Sequence, residues 1–154
     1  MGQIDDRLAE LGIELAAPAA PVANYVGYVV SGNLVFVSGQ VTLDNGEFKF
    51  IGKVGSDLSV EEGAEAARLC GINILAQVKD ACGGDLDRVK RIVKLGGFVN
   101  SDTDFTQHPQ VINGCSDLMV DVFGDKGKHA RFALGAGSLP LNVAVEIDAV
   151  VEIE

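Results

Sequence analysis

The chain has 154 residues, 47% of them hydrophobic, and 12 Lys and Arg against 22 Asp and Glu give a formal net charge of −10. That length and apolar fraction suit one domain with a real core. The acidic balance, with no cluster of Lys and Arg, argues against a nucleic-acid partner, because phosphate binding needs such a cluster. No apolar run approaches the ~20 residues of a membrane span. The first residues lack the basic and apolar regions of a secretory signal, so the expectation is a soluble cytoplasmic protein. Gly2 invites a myristoylation check, but position 6 is Asp6 rather than Ser or Thr. Cys70, Cys82 and Cys115 are scattered, without a CxxC, and the histidines are His108 and His129. That pattern indicates neither a zinc site nor a disulfide framework, and the cysteines read as buried, unpaired small hydrophobes.

Residues 1–12 read as a short amphipathic helix, with Ile4, Leu8 and Leu11 on one face and Gly12 at its end. Such a helix is marginal alone and must dock on the rest of the chain. Ala16 to Ala23 is an Ala/Pro connector, kept extended by Pro18 and Pro21. Tyr25 to Val30 and Leu34 to Val37 follow as two strands around Ser31-Gly32-Asn33, read as a three-residue hairpin. Ser38-Gly39-Gln40 comes next, with a glycine that lets the backbone bend or lets a group approach closely. Asp44-Asn45-Gly46 marks a turn, with Phe48 and Phe50 alternating behind it as a short strand. Residues 52–57 read as loop.

Ser59-Val60-Glu61-Glu62 is a capping box. The helix it opens runs to about Cys82, with Val60, Ala64, Ala67, Gly71, Ile74 and Val78 as its buried stripe and Gly83-Gly84 as its stop. The small residues of that stripe predict close packing on a sheet. Val89 to Val99 is a third substantial strand, with Val93, Leu95 and Val99 on one face. Thr106 to Phe123 is a second long helix, with Pro109 in its first turn, a stripe of Ile112, Cys115, Met119 and Val122, and Gly124 at its end. Asp125 to Lys128 reads as an exposed turn.

The C-terminal stretch from His129 to Glu154 holds two β patterns around a breaker at Gly137 to Pro140. The first places Arg131, Ala133, Gly135 and Gly137 on one face and Phe132, Leu134 and Ala136 on the other. The second alternates Val145, Ile147, Ala149, Val151 and Ile153 against Glu146, Asp148, Glu152 and Glu154, the signature of a strand with one buried face. The resulting order, β-β-β, α, β, α, β-β, fits an α+β layer in which two long helices cover one face of a mixed sheet. No internal repeat argues for more than one domain. Val30, Phe36 and Val37 lie on strands with two apolar faces, which points to burial of the second sheet face in an oligomer.

No hydrolase triad can be assembled, since there is no GxSxG and neither His lies near a candidate Ser. Gly135-Ala136-Gly137 falls short of a phosphate cradle because no helix follows it. Glu61 and Glu62 sit where a helix dipole favours them. Arg131 and Glu146 make a more promising pair. If their strands pair around the Leu-Pro loop, both side chains reach one cleft. There an Arg could fix a small carboxylate through two parallel hydrogen bonds, and a Glu could orient or deprotonate a water.

The order Ala-Arg, small and apolar residues, Leu-Pro and then Val-Glu-Ile-Asp-Ala resembles the C-terminal signature of the Rid family. These are the YjgF-like reactive-intermediate deaminases, formerly called endoribonuclease L-PSP. Tyr25, then Gly32-Asn33-Leu34 and Ser38-Gly39-Gln40, resembles the family's N-terminal pattern, and Val111-Ile112-Asn113 resembles the opening of its second helix. The resemblance runs from about Pro18 to Ile153. It implies a chorismate-mutase-like α+β fold over the single domain 1–154 and a homotrimer with sites between subunits. The implied reaction is hydrolysis of enamines and imines such as 2-aminoacrylate to a 2-keto acid and ammonia, without cofactor or metal.

By the same resemblance, Arg131 holds the substrate carboxylate and Glu146 positions the water, with Tyr25, Gly39, Asn113 and Ala133 lining the pocket. Three features depart from the family pattern: Ala133 where Cys is frequent, extra residues around Thr106 to Gln110, and the N-terminal helix. The alternatives are a non-catalytic carboxylate-binding or holdase-like trimer and, least favoured by the charge, an endoribonuclease.

Overall fold

A computed structural model describes residues 2–18 and 23–154. The chain begins with α1 (Gln3–Glu10), and the carboxylate of Asp87 accepts from the backbone N–H groups of Gln3 and Ile4, both at 2.9 Å. An acid from a distant 3-10 turn, Leu86–Arg88, thus serves the open N-terminal amides and ties the short helix down. Pro18 ends the first described stretch, and Pro21 of the expected connector lies outside the described residues.

The first strands are β1 (Tyr28–Ser31) and β2 (Leu34–Gln40). Ser31 faces Leu34, so the hairpin loop has two residues, Gly32 and Asn33, and not the expected three. Gly32 carries the positive φ (62°) at the first central position, as a II′ turn requires. The strand also starts later than expected, leaving Tyr25 exposed ahead of it. β3 (Leu43–Asp44) and β4 (Glu47–Phe48) form a separate ribbon whose turn, Asn45-Gly46, has both φ values positive, the I′ pattern. Phe50 does not continue that strand, because its φ is +54°.

Ser59 caps α2 (Val60–Ala81) by a complete capping box with Glu62. β5 (Val89–Asn100), α3 (His108–Phe123), β6 (Ala130–Ala136) and β7 (Val145–Ile153) follow. The segment expected as an exposed turn before β6 is a short 3-10 turn, Gly124–Gly127, in which Gly127 is buried. A register shift between Ile92 and Lys94 turns Ile92 rather than Val93 into the core.

The main sheet has the order β1-β2-β7-β5-β6. β7 runs antiparallel to both β2 and β5, and β6 lies parallel to β5 at the edge. The expected pairing of the two C-terminal strands therefore does not occur. α3 and the Leu139–Asn142 loop carry the chain so that β5 stands between β6 and β7, consistent with the crossover a parallel pair demands.

The helices α2 and α3 cover one face of this α+β layer. Val145, Ile147, Ala149, Val151 and Ile153 of β7 face them, buried, as the alternation predicts. The small residues of α2 bring it as close to α3 as to the sheet: a side chain at Gly71 would meet Leu118 and Cys115, and one at Gly114 would overlap the backbone of Ala64. Cys70, Cys82 and Cys115 are all buried and free. Burial pushes the Cys115 thiol up to about 12 and the Cys70 thiol well above its ordinary value, so both behave as inert packing groups. Nothing among the described residues covers the other sheet face, which presents Val29, Phe36 and Leu134, exposed by 53%, 45% and 51%.

Candidate functional site

Arg131 projects from the helix-covered side of the edge strand β6, under the first turns of α3. Its Nη1 donates to Asn113 Oδ1 (2.9 Å) and to Ser116 Oγ (3.0 Å), and its Nη2 donates to the Pro109 carbonyl (3.4 Å). No carboxylate among the described residues pairs with it, and nothing described accepts from its Nε. The guanidinium is thus fixed in orientation by neutral groups while donors remain for a ligand. That arrangement suits a bidentate carboxylate.

A second layer holds the first. His129 Nδ1 lies 2.6 Å from the Gly127 carbonyl, and His129 Nε2 lies 2.8 Å from Ser116 Oγ. A carbonyl can only accept, so Nδ1 carries a proton. In the neutral ring Nε2 then accepts from the Ser116 hydroxyl, whose oxygen accepts from Arg131. Ser116 and His129 were not among the residues the sequence singled out. One signal was present: Asn113 and Ser116 stand three apart on α3, so they share a face, and His129 shares the strand face of Arg131.

Glu146 lies elsewhere. It projects from β7 onto the uncovered sheet face, half-buried, and a Cβ on Gly39 would overlap its carboxylate. Gly39 sits in the irregularity of β2 between Val37 and Gln40, where the strand bends away from β7. No described group donates a hydrogen bond to the Glu146 carboxylate. Burial, and next the nearby charge of Asp148, push its pKa above the ordinary value. An acid held this way can carry a proton or hold a water.

The six sequence-selected residues therefore fall into two groups within one chain. Arg131, Asn113 and Ala133 gather under α3 at the β6 edge, while Glu146 and Gly39 meet on the open face, with Tyr25 exposed just ahead of β1. Arg131 is level with Leu95 and Ala149, and Glu146 with Phe98. Two strand spacings of about 5 Å and three residues of about 3.3 Å put the two Cα atoms roughly 14 Å apart. The side chains also leave opposite faces of the sheet. The single cleft expected from pairing of their strands does not form within the chain, because β5 separates them. Among the described residues, no three His, Cys, Asp or Glu side chains are grouped to hold a metal ion. No helix among them is long and apolar enough to cross a membrane.

This layer of two helices on a mixed sheet is shared with known proteins. The model of the family described as "YjgF/chorismate_mutase-like, putative endoribonuclease" matches residues 5–153. The chain belongs to that family. It is 48% identical to Protein TCP17 of Trypanosoma cruzi over 153 residues, 99% of this chain and 95% of that one. The crystal structure of Atu1372 from Agrobacterium tumefaciens, a protein of unknown function, superposes with a TM-score of 0.92 at 49% identity, covering 98% of this chain and 92% of that one. A structure from Shewanella oneidensis, described as a "putative endoribonuclease", superposes with a TM-score of 0.94 at 35% identity, covering 99% and 100%.

Proposed function

We propose that this protein hydrolyses small enamines and imines derived from amino acids, such as 2-aminoacrylate, to 2-keto acids and ammonia. The observation that carries the reading is Arg131, oriented by Asn113, Ser116 and the Pro109 carbonyl yet without an acid partner among the described residues. Its unused N–H groups form the receptor a carboxylate needs. Glu146, with its raised pKa and no hydrogen-bond donor among the described residues, is suited to the proton transfers.

The working unit in this reading is a homotrimer. One subunit offers Arg131 at its β6 edge and a neighbour offers Glu146, Gly39 and Tyr25 from its open face. Two features support this. The residues cannot meet within one chain, and the open face carries Val29, Phe36 and Leu134 exposed. Burying such a patch between copies is the ordinary solution for an apolar sheet face.

The chemistry then balances simply. The enamine takes a proton on its terminal carbon and becomes an imine. Water, its proton passing to the Glu146 carboxylate, adds to the C=N carbon. The carbinolamine collapses as Glu146 returns that proton to nitrogen and the hydroxyl gives up its own: the C–N bond breaks, C=O forms, ammonia leaves, and the proton released offsets the one the enamine took up. The C=N carbon is already electrophilic, so no covalent nucleophile is required. The protein's work is to hold the carboxylate, present water to one face and move protons. Ala133, beside the Arg131 strand face, adds no functional group to that sequence.

The endoribonuclease description of relatives is less favoured for this chain, whose net charge of −10 opposes RNA binding. The test is ammonia and keto-acid release from imines generated in situ by an amino-acid oxidase. Arg131→Ala should lose about 10- to 150-fold, the equivalent of ~1.5–3 kcal/mol for a charge-assisted bond. Equal rates in wild type and Arg131→Ala across several imines would end the deaminase reading and leave a binding role.

A further inference from the structure

A cavity of about 440 Å³ lies on the helix side of β2, between α2, the β3–β4 ribbon and the Ala16–Pro18 segment. Its size is that of a small-molecule site. Neither Arg131 nor Glu146 lines it, whereas Tyr25 and Gly39 do. Every described lining residue is uncharged, in a chain of net charge −10. Its walls include the aromatic rings of Tyr25 and Phe48 and the side chains of Leu43 and Ile72.

At the α2 wall stands Gln77, 4% exposed. Its carboxamide makes no hydrogen bond to any described residue, although no described buried polar atom is sealed from the surface without a partner. Its amide atoms therefore reach the cavity. The backbone of Gly27 passes directly over them, where any Cβ would collide. One turn earlier, Asn73 spends both its N–H groups on the carbonyls of Val41 and Leu43, each at 2.9 Å, which pins the segment leading into the ribbon to α2. The cavity is thus framed by fixed elements, and one buried amide within it has no partner among the described residues. Burial of an amide in that state is costly unless something binds it.

We infer that this cavity binds a small, uncharged, flat molecule bearing a lactam edge, read by the Gln77 carboxamide. A carboxamide offers a donor and an acceptor side by side. The group that satisfies both at once is an N–H beside a C=O held cis, as in a cyclic amide. The absence of charged walls disfavours an anion or cation, whose desolvation nothing there would offset. The two aromatic rings favour a flat ring over a puckered one. The cavity shares Tyr25 and Gly39 with the deaminase reading, but the Gln77 contact needs neither Arg131 nor Glu146, so Arg131→Ala should leave 2-pyridone binding unchanged.

The test is a titration of the full-length protein with 2-pyridone, followed by NMR at the Gln77 side-chain amide and the Gly27 and Gly46 backbone amides. A ligand of this size in a fitted cavity should saturate at about millimolar concentration. N-methyl-2-pyridone keeps the ring and loses the donor, so it should bind about tenfold more weakly or worse. Gln77→Met preserves length and volume, so it should abolish the saturable shifts while leaving the melting temperature equal or higher, because an unpartnered amide has been removed. Linear, non-saturating shifts up to ~50 mM 2-pyridone would overturn the inference, that range exceeding any fitted fragment. So would equal binding of the N-methyl compound, or a Gln77→Met protein that melts several degrees lower, which would make Gln77 a structural group.

Discussion

The two halves of the candidate active site are built by opposite means. Arg131 is held by hydrogen bonds, in a chain running from its guanidinium through Ser116 and His129 to the Gly127 carbonyl. Glu146 accepts no hydrogen bond from a described residue and is held by space, its carboxylate filling the gap that Gly39 leaves open. The cation is specified in direction before a ligand arrives. The acid is left with its lone pairs unspent and its ionised form disfavoured. A group that only binds benefits from rigidity, whereas a group that must exchange protons benefits from an unsettled charge.

The sharpest way to break this comparison is to keep the charge and remove the direction. Arg131→Lys retains a cation on β6 but cannot reproduce the planar fork. It should lose nearly as much as Arg131→Ala, about 10-fold or more in kcat/KM for imine hydrolysis. Recovery to near wild type would mean that direction is unimportant. Gly39→Ala comes next. Its Cβ would displace the Glu146 carboxylate, the far end of a flexible side chain, so the fold should tolerate it while the rate falls by about tenfold. A melting temperature that drops sharply with unchanged rate would contradict the spatial role given to Gly39.

Glu146→Gln tests the unsettled charge itself. The pKa of Glu146 in the fold lies above its unfolded value, through burial first and Asp148 second. Its contribution to stability is therefore fully present below the unfolded pKa and is lost as pH rises through the raised one. The Gln variant should melt slightly higher than wild type at neutral pH, converge with it in acid, and turn over far more slowly. Thermal melts across that range check the sign, and a variant that melts lower at neutral pH would refute it. The smallest effect is expected from Ser116→Ala. It removes one of several bonds to Arg131, worth about 1 kcal/mol. It should raise KM a few-fold while kcat holds, and an effect on kcat alone would place Ser116 in the proton transfers.

Much of the fold was legible because it is local. The Asn45-Gly46 turn, the Ser59–Glu62 capping box, the α3 stripe and the alternation of β7 each depend on residues within one or two turns. What escaped is non-local. Nothing near Gly137 to Pro140 says that β5 (Val89–Asn100), far earlier in the chain, will insert between the strands on either side of that loop. The register shift at Ile92–Lys94 is likewise set by pairing with β7. Arg131, Asn113 and Glu146 were visible as residue types in a familiar order. Their contacts were not, because Arg131 meets Asn113 only after α3 folds over β6. Gln77 was overlooked for a related reason. A polar residue beside Ile74 and Val78 reads as the solvated flank of a helix until the ribbon is seen to lie over it.

The position of β7 has a further consequence, in the timing of assembly. It is translated after β1 to β6, yet it bonds to β2 on one side and β5 on the other. Until it emerges from the ribosome, the β1–β2 hairpin and the α2–β5–α3–β6 unit have no strand between them, and both β2 and β5 expose edges that β7 will occupy. The nascent chain must therefore wait with two open sheet edges, a state prone to pairing with other chains. A single late strand closes both edges at once. Folding should be sharply cooperative with the arrival of Val145–Ile153, and a chain stalled before Val145 should be a client of chaperones rather than a smaller folded domain.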